Sequence, residues 1–190
     1  VKLLRETGGL EFLIDFEVYF ETFFNAPLKK YSCYFQSANG KPIGRHYLKE
    51  LAFDVGALDA RNIMIGAQPL SAHGVEDESR EFARAFCALP ALPFQKVPGD
   101  TDPVVVRSLS TQNGTYFYAV NMSYFPVGVK LDFGKRKTLG LFGGERYTDL
   151  STGTDHSSDT IGLLPFQLRS FLSANQGLRI ASAVVAGRSK

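Results

Sequence analysis

An α/β segment followed by an all-β segment is the fold class predicted for this 190-residue chain. Three observations predict it. Apolar residues alternate almost perfectly from Leu10 to Glu21, and two one-sided helical stretches flank the short apolar run Asn62 to Gly66. Beyond these, short strand-like segments follow one another, separated by Gly, Asn, Asp and Ser. Between the two textures, Ala88 to Pro103 carries Pro90, Pro93, Pro98 and Pro103, which interrupts any regular element. The expected domains are therefore residues 1–93 and 94–190.

In the first, Leu10, Phe12, Ile14, Phe16, Val18 and Phe20 share one parity, and Glu11, Asp15, Glu17, Tyr19 and Glu21 share the other beside Leu13. That is a strand. Residues Asn25 to Gly44 read as a long loop rich in aromatic and polar side chains, including Tyr31, Tyr34 and Phe35. From Arg45 to Leu58, Leu48, Leu51, Ala52 and Val55 recur at helical spacing while Lys49, Glu50 and Asp54 point elsewhere. Asn62 to Gly66 is a buried strand. After Gly74, the acids Glu76, Asp77 and Glu78 suit a helix N-terminus, and Phe82, Phe86 and Leu89 continue its apolar stripe opposite Arg80 and Arg84. Two strands joined by a helical crossover imply parallel pairing, but that pair alone leaves both edges open.

In the second, strands are expected near Val104 to Ser110, Thr115 to Asn121, Val127 to Phe133, Thr138 to Phe142, Arg146 to Asp149, Thr160 to Leu164 and Gln167 to Leu172. Arg179 to Ala186 could add one more. Asn113-Gly114, Gly143-Gly144 and Gly153 mark turns. The texture is that of an antiparallel sandwich. Tyr116, Tyr118 and Val120 alternate with Phe117, Ala119 and Asn121, so both faces of that strand are apolar, as expected where a sandwich packs on a neighbouring domain.

Composition excludes several function classes. No apolar run approaches the roughly 18 to 20 residues of a membrane helix, and no secretory signal is expected within the chain. Residues 1–93 carry 10 Lys and Arg against 12 Asp and Glu, and residues 94–190 carry 11 against 7. The one basic cluster, Lys130, Lys135, Arg136 and Lys137, reads as a solvated turn, so no nucleic-acid partner is expected. Cys33 and Cys87 read as core thiols. Neither His46 nor His156, which falls in a polar loop, has metal-ligand spacing with a second His or Cys, and the glycines from Gly134 to Gly144 lack a phosphate-loop ending. No metal and no cofactor are expected. Asn113-Gly114-Thr115 and Asn121-Met122-Ser123 match the glycosylation sequon.

TYFYAVNMSYFPVGVKL at Thr115 to Leu131, RYTDLSTG at Arg146 to Gly153 and LLPFQLRSF at Leu163 to Phe171 resemble strands of an accessory domain. REFARAFCALP at Arg80 to Pro90 resembles a last barrel helix leading into it. Together they resemble the C-terminal part of a (β/α)₈-barrel glycoside hydrolase with an appended all-β sandwich. The resemblance implies the last two strand–helix units of the barrel, an oligo- or polysaccharide substrate, the remainder of the barrel as partner, and a periplasmic or extracellular setting.

It also implies that Leu10 to Glu21 and Asn62 to Gly66 are barrel strands seven and eight, with catalytic groups at strand C-terminal ends. Glu17 is then the candidate nucleophile, Glu21 the next candidate, and Asp15 an orienting or salt-bridging group. Tyr19 and Tyr34 are candidate stacking platforms, and Gln68 and His73 candidate partners for sugar hydroxyls. The proton donor would lie upstream of Val1, so the chain alone is expected to be inactive. Two competing readings stay open. One is a noncatalytic β-sandwich module that binds a glycan or protein through the Tyr31 to Phe35 loop; the other is an α+β structural protein whose acids line a solvated strand face.

Overall fold

The computed structural model describes residues 2–4, 33–34, 45, 48–65, 76–134 and 145–188. Strands β1 (Lys2–Leu4), β2 (Cys33–Tyr34) and β3 (Asn62–Ile65) pair in the order β1-β3-β2. β2 runs parallel to β3, with Cys33 opposite Met64, whereas β1 runs antiparallel to it. One expectation needs correcting here: Tyr34 belongs to a strand inside the segment read as a loop, because two residues carry no alternation that a periodicity reading can detect. The antiparallel neighbour β1 was not among the expected strands. The predicted strands at 10–21 and 138–142 lie outside the described residues.

Helix α1 (Lys49–Leu58) starts later than Arg45, and α2 (Glu76–Cys87) matches the expected second helix. Their buried stripes are the predicted ones: Leu48, Leu51, Ala52 and Val55, then Phe82, Phe86 and Leu89. Asp54, expected to point away from the core, is buried. Cys87, expected in the core, is exposed, since it sits one helical step of about 100° beyond Phe86.

The remaining strands are β4 (Gln95–Lys96), β5 (Val104–Thr111), β6 (Gly114–Asn121), β7 (Val127–Asp132), β8 (Tyr147–Asp149), β9 (Asp155–His156), β10 (Thr160–Leu163), β11 (Leu168–Ser173) and β12 (Ser182–Arg188). They build two antiparallel sheets, a six-stranded one in the order β4-β5-β6-β11-β8-β9 and a three-stranded one in the order β10-β7-β12. The described residues are thus mostly antiparallel sheet with two helices. His156, expected in a loop, pairs with Tyr147 across β8 and β9.

Side-chain alternation divides the core in two. On one face of the six-stranded sheet, Val104, Val106, Phe117, Ala119 and Phe171 join Val127, Val129, Leu131, Ile161, Leu163 and Ala183 of the three-stranded sheet in one apolar cluster. On the other face, Val105, Tyr118, Val120, Phe166 and Leu168 join the apolar stripes of both helices. β6 is therefore buried on both sides, which is why both of its parities are apolar.

The two antiparallel sheets are also linked at both margins. Val97 N donates to Val106 O of β5 at 2.9 Å, and a few residues on, Pro98 O accepts from Ala183 N at 2.9 Å and Asp100 O from Val185 N at 3.1 Å. One strap thus covers the outer edge of β12, which would otherwise present unpaired backbone groups. Gly99 sits in it at φ +129°, where an added Cβ would lie 1.9 Å from Ala183 O. At the opposite margin the chain passes from β9 to β10 through residues 157–159, and Leu131 N donates to Asp159 O at 2.7 Å.

Candidate functional site

Asp15, Glu17, Tyr19, Glu21, Gln68 and His73 all lie outside the described residues. Of Tyr34 the backbone is placed, in β2 opposite Ile65. The structure instead brings together three polar clusters that hold the helix layer, one turn and one exposed loop in position.

The first joins α1 to the sheet. Asp59 ends the helix in the left-handed region at φ 51°, a conformation that Asp adopts at lower cost than most residues. From there Oδ1 accepts from Tyr118 OH of β6 at 2.7 Å, and Oδ2 accepts from Phe94 N at 2.7 Å. Arg107 of β5 donates through Nη2 to Gly56 O at 3.2 Å and Ala57 O at 3.4 Å, supplying donors and positive charge to carbonyls at the helix C-terminus. Glu81 of α2 pairs with Arg45 at 2.5 Å and accepts from Gln167, which precedes β11.

The second lies at the β8 margin. Arg169 donates to Asp149 Oδ2 through Nε at 3.0 Å and Nη2 at 2.7 Å, and its Nη2 is 3.3 Å from His156 Nε2. Asp149 Oδ1 accepts from Ser151 N at 2.9 Å and Ser151 Oγ at 2.6 Å, which folds the turn after β8. Burial alone would raise the Asp149 carboxyl, but the hydrogen bonds from Ser151 and Arg169 hold it below the usual carboxylate value. Tyr147 donates to Ser158 O at 2.6 Å, and burial raises its phenol above the ordinary value. Every strong donor here is matched by a protein acceptor, so the cluster works as a staple. Among the described residues no three His, Cys, Asp or Glu side chains could hold a metal ion, and no helix is long and apolar enough to cross a membrane.

The third pins the β6–β7 loop. Asn121, fully buried, donates through Nδ2 to Phe125 O at 2.7 Å and Leu164 O at 3.0 Å, while Oδ1 accepts from Ser123 N and Oγ. Its amide is thus occupied by the fold, although the triplet matches a sequon. The pinned loop presents Tyr124 and Phe125 at 50% and 59% exposure, and Leu164 beside them at 44%. Tyr124 and Phe166 form a T-shaped pair, with ring centroids 4.9 Å apart, and the Lys49 ammonium stands over the Tyr124 ring 5.9 Å from its centroid.

Sequence reasoning passed over Asp59 and Arg107, and read Asn121 as part of a sequon rather than as the pin of a loop. Asp59 alone has a local signal, an αL-tolerant residue directly after an apolar helical stripe. The other two are defined by partners between 2 and 51 residues away in the chain.

No protein-family model matches the chain. No curated protein matches it either. Among solved structures, it is similar to a single-substitution variant of AmyP in complex with maltotriose, at 14% identity and a TM-score of 0.44. That likeness covers 69% of this chain and 35% of AmyP, so the chain spans about a third of that protein's length.

Proposed function

We propose that the chain is the C-terminal portion of a carbohydrate-active hydrolase. In this reading residues 1–93 end an α/β barrel, and residues 94–190 form an antiparallel β-sandwich that braces it. The observation that carries the bracing role is the double burial of β6. Strands β5, β6 and β11 pack one face against the helix layer, which Tyr118, Arg107 and, just before β11, Gln167 fasten. A free-standing binding module would leave that face to solvent or ligand. The chemistry rests on the acids of the alternating segment, with Glu17 as nucleophile and Glu21 and Asp15 beside it.

The test is hydrolysis of a glycan panel, beginning with maltotriose, by the protein expressed from its complete coding sequence. Glu17→Gln is expected to lower turnover by at least about a thousandfold, with the melting temperature unchanged. Full activity in Glu17→Gln, Glu21→Gln and Asp15→Asn alike would refute the assignment of the site. The second reading, a noncatalytic glycan-binding module, is favoured by the exposed and rigidly pinned β6–β7 loop.

A further inference from the structure

We infer that the β6–β7 loop is a saccharide-binding platform separate from the proposed hydrolytic site: the ring of Phe125 stacks on the C–H face of a pyranose unit, and Lys49, held over the Tyr124 ring, donates to its hydroxyls. The inference deepens the carbohydrate reading and rests on it.

Three features support this occupant. The first is chemistry: the exposed Phe125 ring adjoins Tyr124, over whose ring the Lys49 ammonium stands, which matches a ligand with apolar faces and a hydroxyl rim. The second is preorganisation. The buried Asn121 amide makes four hydrogen bonds that fix the loop and tie Phe125 to Leu164, so little conformational entropy remains to be lost on binding. Phe166 behind Tyr124 is fully buried and held at φ 53°, so the ring has a rigid support.

The third is size. Tyr124, Phe125 and Leu164 expose roughly 300 Å² of side chain together, judged from the area that aromatic residues bury, which is well below the about 800 Å² per partner of a stable protein interface. A short run of sugar rings fits that area. Phe53, 40% exposed and one helical turn beyond Lys49, extends the surface along α1.

The experiment is calorimetric titration of the complete chain with maltoheptaose and, separately, cellohexaose. Binding of at least one oligosaccharide is expected, weakened about tenfold or more by Phe125→Ala and by Tyr124→Ala. Phe125→Tyr, which keeps the ring, should bind within about threefold of the parent. Phe125→Leu, which keeps apolar area without a ring, should behave like Phe125→Ala. Should Tyr124→Ala disturb Phe166 and unfold, the exposed Phe125 series alone decides. Binding of neither oligosaccharide, or undiminished binding by Phe125→Leu, overturns the platform. Hydrolysis lost in Glu17→Gln with oligosaccharide binding intact separates the two sites, whereas active protein that binds neither oligosaccharide removes the platform and leaves the hydrolase reading standing.

Discussion

Asp59 concentrates three roles in one side chain: it ends α1, accepts from Tyr118 in the sheet, and accepts from the backbone where the chain enters β4. Asp59→Ala removes both acceptors and keeps a left-handed backbone that Ala adopts poorly. A loss of about 2 to 3 kcal/mol is expected in urea unfolding, and Asp59→Asn should recover about half of it. Asp149 carries a pH dependence. Because its carboxyl pKa is depressed in the fold, its contribution is fully present above the unfolded value of about 3.9 and is lost as the pH falls through the folded value. The parent protein should therefore lose stability more steeply than Asp149→Asn as the pH falls below about 4; parallel pH profiles would contradict the staple. At neutral pH, Asp149→Ala strands the Arg169 guanidinium and should cost about 3 kcal/mol.

At the scale of elements, the question is what holds a ten-residue helix on a sheet. Such a helix is marginal alone, so its packing stripe and its end contacts decide whether it forms. Arg107 provides the end contact from β5, and Arg107→Met keeps most of the stem while removing the donors. Circular dichroism in a urea titration should report a loss of about 1 to 2 kcal/mol. The strap over β12 depends on Gly99 in the same way. Gly99→Ala meets a backbone carbonyl rather than a yielding side chain and takes a φ that L residues rarely adopt. It should destabilise by on the order of 2 to 4 kcal/mol, with amide exchange rising first at Ala183 and Val185.

For the whole molecule, β6 is the common wall of both apolar clusters, so helix layer and sheets cannot separate without exposing Tyr118, Val120, Phe166 and Leu168 together. Helix loss at 222 nm and tyrosine fluorescence should then trace one coincident transition in urea, with amides of β6 among the slowest to exchange. Two resolved transitions, helix first, would show that the brace is weak. Tyr118→Phe keeps the packing and removes the hydroxyl bond to Asp59, so it should lower the midpoint without splitting the transition.

How much was legible follows from the range of each interaction. The strands β5, β6, β7, β8, β10 and β11, both helix stripes and the double-apolar character of β6 were readable because side-chain periodicity is a local consequence of backbone geometry. The two-residue strands, the burial of Asp54 and the polar fastenings at Asp59, Arg107, Asn121 and Asp149 were not. The acids, amides and rings selected as a site from the alternating segment and the loops remain expectations, since Tyr34 alone among them has a placed backbone. By itself the sequence determined the apolar stripes of the two helices and of the long strands, Asp54 and Cys87 excepted. Which sheet each strand joined, where its edges were closed, and which loop was held open to solvent were decided by the tertiary structure, because those depend on hydrogen bonds between residues far apart in the chain.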